Sequence, residues 1–152
     1  MMKINTLPIE MLEQIFKKNT YESKRAHFRQ IALVCKRWSV IAIPMIWKEM
    51  RITGSSRIDK STAFSFYRHI INPNCLWGGY IQTLEFYNAP FWPICMVKIL
   101  NAVPYIVNLS IIGYDSEGKK IDLLEHILRV LPNLRRLDLR RSHYYFGEDN
   151  IQ

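Results

Sequence analysis

The feature that most narrows the possible folds is an internal period in the later part of the chain. VPYIVNLSI at 103–111 aligns with LPNLRRLDL at 131–139: each opens on an aliphatic residue and a proline, and each is apolar at its fourth, seventh and ninth positions. IQTLEF at 81–86 supplies those three apolar sites as Ile81, Leu84 and Phe86. Ile81, Ile106 and Leu134 are thus equivalent positions, and the period they mark is roughly 25 to 28 residues, inside the range of stacked solenoid repeats. A repeat of that length is one supersecondary unit, which cannot bury its apolar face alone and must stack on its neighbours.

The residues between these strand-like stretches have helical spacing. Pro93 can open a helix through Val97, Leu100 and Val103, stopped by Pro104. Ile121, Leu124, Leu128 and Leu131 form the next, stopped by Pro132, and Phe64, Tyr67 and Ile71 suggest an earlier one that ends near Asn72 and Pro73. Strand alternating with helix is the signature of an α/β architecture.

The first third is different. More than half of residues 7–48 are apolar, in short bursts. Pro8 is tolerated in the first turn of a helix, and Met11, Leu12, Ile15 and Phe16 follow at helical spacing, so a helix is expected at about 8–18. Ser23 is a candidate N-cap for a second helix that carries Phe28, Ile31 and Ala32. Trp38, Ile41 and Ala42 continue the pattern until Pro44 interrupts it, and Met45, Ile46 and Trp47 make a last apolar turn. Three short helices result. A unit of this size, about 40 residues, rarely holds together by its own core, so part of its apolar surface calls for a partner. Leu7 points the same way. If Pro8 opens the helix, Leu7 occupies the N-cap, where Ser, Thr, Asp or Asn would be favoured by about 0.5–2 kcal/mol. Glu10, three positions on, can still reach back to the exposed N–H.

LPIEMLEQIF at 7–16 and LVCKRWSVIAIPMIW at 33–47 together resemble the F-box pattern: Leu-Pro-x-Glu-x-Leu-x-x-Ile-Phe, then Leu-Val-Cys-Lys-x-Trp, then a closing Pro-x-x-Trp. The F-box family uses three helices to dock on the Skp-type adaptor of a cullin ubiquitin ligase. The resemblance puts Leu7, Pro8 and Ile9 at the adaptor contact, with Leu12, Leu33, Val34, Cys35, Lys36 and Trp38 in or beside it. Phe16 and Trp47 are expected as core anchors.

The repeats resemble the leucine-rich-repeat solenoid that often follows an F-box. The Asn or Cys that usually follows the strand has a counterpart in Asn88, but Gly113 and Arg141 break the pattern. The expected organisation is thus an F-box at 1–50 and a short, irregular leucine-rich-repeat-like α/β solenoid of about three repeats at 51–152. In such a strand the apolar sites face the core and the alternate residues face the concave surface. That sets Thr83, Glu85, Tyr87, Asn108, Ser110, Ile112, Arg136, Asp138 and Arg140 on one exposed sheet. These nine are candidates for holding a protein substrate, and an ordinary solvated face has the same pattern. The chain stops soon after the third strand, in HYYFGEDNIQ, so a truncated product or a fragment of a longer chain is among the expectations.

What the resemblance implies is a substrate-recognition adaptor, with an unknown protein substrate held by the repeats. The alternatives are a basic nucleic-acid-binding repeat protein and a scaffold or truncated adaptor that docks without substrate. The formal charge of +8 invites nucleic acid, so its distribution matters more than its sum. Residues 1–50 carry nine Lys/Arg against four Asp/Glu, and the remainder carries twelve against nine, so neither part is a polybasic arm. Only Arg135, Arg136, Arg140 and Arg141 cluster. An enzyme is not expected: GxSxG, HExxH, CxxC and a phosphate-cradling Gly-rich loop are absent, and His27, His69, His126 and His143 share no spacing. No metal or cofactor is expected. Three cysteines, Cys35, Cys75 and Cys95, cannot all pair within one chain and suggest a reducing compartment. With no export signal and no uninterrupted apolar stretch of about 18 residues, the cytoplasm and/or nucleus is the expected location.

Overall fold

The short apolar bursts of the first third become three helices. In the computed structural model, which describes residues 6–18, 24–91, 93–113 and 123–140, the chain divides into two compact units, Met1–Glu49 and Met50–Gln152.

In the first unit, helix α1 is Ile9–Lys18, α2 is Lys24–Ala32 and α3 is Lys36–Trp47. Leu12 and Phe16 of α1, Phe28 and Ile31 of α2, and Ile41, Ala42 and Ile46 of α3 form one buried cluster. Ser23, the expected cap of α2, lies outside the described residues. Two expectations are corrected. The carbonyl of Pro8 accepts from the N–H of Leu12 at 3.2 Å, so Pro8 is the N-cap of α1 and Leu7 lies one position outside it. Pro8 has no N–H for Glu10 to satisfy, and Leu7, packed against the core cluster, is where the apolar residue of a hydrophobic staple belongs. The second correction is Pro44, which does not interrupt α3. A proline inside a helix costs about 3 kcal/mol. The helix nonetheless runs on to Trp47 because Ile46, beyond the proline, belongs to the same buried cluster as Ile41 and Ala42 before it.

The second unit begins within the first strand, at Met50. Its elements are β1 (Glu49–Thr53), α4 (Arg57–Ile70), a short 3-10 turn (Trp77–Tyr80), β2 (Thr83–Tyr87), α5 (Pro93–Ala102), β3 (Asn108–Ile112), α6 (Leu123–Val130) and β4 (Arg136–Asp138). They give one sheet in the order β1-β2-β3-β4. The last three strands are parallel, with Thr83 opposite Asn108 and Asn108 opposite Arg136, so the register follows the sequence period. α4 packs on α5, and α5 on α6. Leu84 and Phe86 of β2 and Leu109 and Ile111 of β3 are buried in the core, as are Met96, Ile99 and Leu100 of α5.

Three details differ from expectation. β1 was not foreseen, although EMRIT alternates between exposed and buried residues as a half-buried strand does. α4 is opened by a capping box: the Ser56 hydroxyl accepts from the N–H of Asp59 at 3.0 Å, and the Asp59 carboxylate accepts from the N–H of Ser56 at 3.1 Å. The buried stripes of α4 and α6 are shifted, and that of α5 is broader than expected. α4 buries Ala63, Phe66 and Ile70, leaving Phe64 exposed and Tyr67 half-buried. α6 buries Leu123 and Ile127, with Leu131 after it, and exposes Leu128. In α5 Met96 and Ile99 are buried with Leu100 and Val103, and Val97 is half-buried. Ile121 lies outside the described residues.

The strands leave the sheet through a repeated step. Gly54 donates its N–H to Tyr87, Asn88 to Ile112, and Gly113 to Arg140. Asn88 and Gly113 both have positive φ, +47° and +69°. A Cβ on Gly113 would come within 1.9 Å of Asn88 Oδ1, and one on Gly54 within 2.1 Å of the Asn88 carbonyl oxygen. Asn88 is therefore closely flanked by two glycines, which is why Gly113 stands where the repeat pattern favours Asn or Cys.

Candidate functional site

Two surfaces, one in each unit, gather the residues singled out from the sequence. In the first unit, the turn between α2 and α3 is closed by the N–H groups of Leu33 and Val34 on the carbonyls of Gln30 and Ile31. The side chains of that turn face outward: Leu33 is 87% exposed and Val34 58%. Pro8, Ile9 and Lys36 are exposed as well. The Arg37 guanidinium, in the first turn of α3, donates to the carbonyl of Leu7, which brings 7–9 and 33–37 side by side. Cys35 is the N-cap of α3 and makes no side-chain capping bond. α1 is no better served, because its N-cap Pro8 has no side-chain oxygen to accept a hydrogen bond, so the poor capping expected of α1 is shared by α3.

Leu12 is the correction in this group. It is 0% exposed, because the period of α1 turns it inward with Phe16, so it supports the surface from below instead of forming it. Trp38 is half-buried and packs against the core, its ring centroid 5.0 Å from that of Phe16. Its Nε1 is buried and has no hydrogen-bond partner among the described residues. Phe16 is a core residue and Trp47 packs against the core, as expected for anchors. Met11 and Val40 are further exposed apolar residues of this unit that helical spacing does not assign to the surface. Both belong to helices whose other faces are buried, and only the folded arrangement separates them from the core set.

In the second unit the parallel register puts Thr83, Asn108 and Arg136 in one row across the sheet, Glu85, Ser110 and Asp138 in the next, and Tyr87 with Ile112 in the third. Along β2 and β3 these residues alternate with the buried ones, and the parallel register carries the same face into β4, so all eight share a face. Arg140, just beyond β4, reaches back to Asp138. Its Nε lies 3.0 Å from both carboxylate oxygens and its Nη2 lies 2.8 Å from Oδ2. Arg140 accordingly holds the Asp138 carboxyl below the usual aspartate range, with Arg136 adding to the effect, and Asp138 pushes the Arg140 guanidinium up. Across the face the Asn108 amide donates to the Thr83 hydroxyl at 3.1 Å.

Arg51 of β1 belongs to the same surface and was missed with its strand. Its Nη2 pairs with Glu85 Oε1 at 3.2 Å, and its guanidinium carbon lies 5.7 Å from the Tyr87 ring centroid, a cation–π arrangement. Glu85, Asn108, Ser110, Ile112, Arg136, Asp138 and Arg140 line a shallow concavity of about 210 Å³. Arg135 belongs elsewhere: with Tyr105, Val107 and Pro132 it lines a second open depression, where the strands begin. Arg141 lies outside the described residues.

The histidines are dispersed. His69 stacks on Trp77 with centroids 4.2 Å apart, and His126 is bound by Asn101 and Arg129 at 3.1 Å each. His143 lies outside the described residues. Among the described residues no three His, Cys, Asp or Glu side chains are grouped as a metal site, and no helix is long and apolar enough to cross a membrane. Cys35, Cys75 and Cys95 are free thiols.

Residues 4–53 match the F-box-like family. The match spans all three helices of the first unit together with β1. A search of curated proteins finds no match to the chain. The F-box-like domain implies an adaptor role in ubiquitin-ligase complexes, with a Skp-type adaptor as the kind of partner.

Proposed function

We propose that this chain is a substrate-recognition adaptor of a Skp/cullin/F-box ubiquitin ligase, working in the cytoplasm and/or nucleus without catalysis of its own. Its helical unit docks on the Skp-type adaptor, and its α/β unit, a short leucine-rich-repeat-like solenoid, holds a protein substrate on the open sheet face. The observation that carries the proposal is the F-box-like match over 4–53, together with the exposed Leu33 and Val34 beside Pro8 and Ile9. Large aliphatic side chains left this open on so small a unit are the ordinary mark of an interaction surface. The solenoid reading is supported by the strand register, which keeps the period of the sequence from β2 through β4, and by helices that pack in chain order. The test is co-purification of the native chain with a Skp-type adaptor, set beside a Leu7→Ala/Pro8→Ala double variant. The native chain should bring the adaptor with it and the variant should bring less. A native chain that retains no adaptor would sink the proposal.

A further inference from the structure

The ion pairs of the sheet face leave one charge over. Arg51 is matched by Glu85 at 3.2 Å and Arg140 by Asp138 at 2.8 Å, whereas Arg136, exposed on β4 at the edge of the same concavity, stands in no ion pair among the described residues. A guanidinium offers five N–H donors in a planar fork and no acceptor, a shape that matches a carboxylate through two parallel hydrogen bonds. One residue row along, Ser110 supplies a hydroxyl on the concavity wall.

We infer that this face recognises a segment of a protein substrate through one unmodified carboxylate, an Asp or Glu side chain, seated on Arg136 in the concavity between Glu85 and Asp138. This rests on reading the sheet face as the substrate surface. Two features of the concavity select a single carboxylate. Its volume of about 210 Å³ is below the range of roughly 300–1,000 Å³ usual for free small ligands, so it suits a side chain presented by a larger partner. Its charges select a monoanion. With the two pairs neutralised, one positive charge remains, and one carboxylate balances it. The second negative charge of a phosphate would find no further unpaired guanidinium and would lie close to two carboxylates, one of them Asp138, only about 7 Å along the strand from Arg136.

The experiment is a selection from a displayed random decapeptide library on the purified full-length chain. Synthetic peptides from the winning pool are then made with the selected acidic residue kept, changed to Asn or Gln, or changed to phosphoserine. On the native chain the pool should be enriched in one Asp or Glu, and the amide peptide should bind roughly threefold to tenfold more weakly. That difference should vanish on Arg136→Gln, and selection on Arg136→Glu should turn to Lys or Arg. The phosphoserine peptide should bind no more tightly than the acidic one. A pool without acidic preference, a preference that survives Arg136→Gln, or a tighter phosphoserine peptide would each overturn the inference. Ser110→Arg, which fills the middle of the face, separates the two levels of claim. If it leaves the pool unchanged, or if no pool emerges on the native chain, the sheet is not the substrate surface, and the proposal on which the inference rests falls with it.

Discussion

Replacing Leu33 with Asp should abolish adaptor docking while leaving the free chain as stable as before. Leu33 is 87% exposed, so most of the burial energy of a leucine side chain, about 1.5–3 kcal/mol, remains available to a partner. An aspartate forfeits that energy and obliges the interface to desolvate a carboxylate, which adds roughly 2 kcal/mol. The total, about 3.5–5 kcal/mol, corresponds to a roughly 300- to 5,000-fold weaker complex. In the free chain the substituted side chain would point into water, and the turn depends on backbone bonds from Leu33 to Gln30 and Val34 to Ile31. Its unfolding free energy should therefore move by no more than about 0.5 kcal/mol. Titration calorimetry of the full chain against a purified Skp-type adaptor, with thermal melts of the free chain, reads both quantities. Leu12→Ala is the opposite control: fully buried, it should lose about 2–5 kcal/mol of stability, while the molecules that remain folded bind the adaptor normally. A Leu33→Asp chain that binds within about threefold of native would refute the assignment of this turn to the docking surface.

Three further outcomes are expected. Gly113→Ala should destabilise the chain by about 1–2 kcal/mol from the left-handed φ alone, with more for the approach of Asn88 Oδ1. Adding Asn88→Gly should recover only the second part, as read by urea melts. Ser56→Ala should cost about 0.5–2 kcal/mol by removing one half of the capping box of α4, measurable in the same way. Asp138 titrates below ordinary aspartates because of Arg140. Its folded-state pKa is depressed, so its contribution to stability is present above the ordinary aspartate range and is lost as the pH falls through the lowered value. Carbon-detected NMR titration should show the Asp138 midpoint rising toward the ordinary range in Arg140→Gln, and an unmoved midpoint would remove Arg140 as the cause.

The sheet was legible in the sequence because its pattern is local. Along a strand, burial alternates residue by residue, so aligning Leu84 with Leu109 and Leu137 aligns everything between them, and the register follows. Helix rotation is not local in that sense. α4 contains two adjacent stripes that satisfy the same spacing, Ala63–Phe66–Ile70 and Phe64–Tyr67–Ile71. The smaller residue of the first pair went to the core, where Phe91 contributes a ring 6.0 Å from both Phe64 and Phe86. Periodicity cannot choose between two such stripes, since packing against the neighbouring layer decides. β1 escaped for another reason: EMRIT falls outside the repeat period, and so short an alternation is weak unless a neighbouring strand is known.

The candidate face was legible as a set of positions but not as a set of interactions. Arg135, Arg136, Arg140 and Arg141 read as one basic cluster, the kind of feature that suggests phosphate binding. Folding takes the cluster apart. Neighbours on an extended strand point to opposite faces, so Arg135 leaves for the depression where the strands begin, while Arg136 stays on the sheet face. Arg140 turns back on Asp138, and Arg51, distant in sequence and unrecognised, arrives to neutralise Glu85. A surface that looks like several free cations in one dimension thus carries a single unpaired one among its described residues. Specificity on such a face comes less from its total charge than from that remainder, because each matched pair resists displacement by a ligand of either sign while Arg136 alone gains a partner on binding.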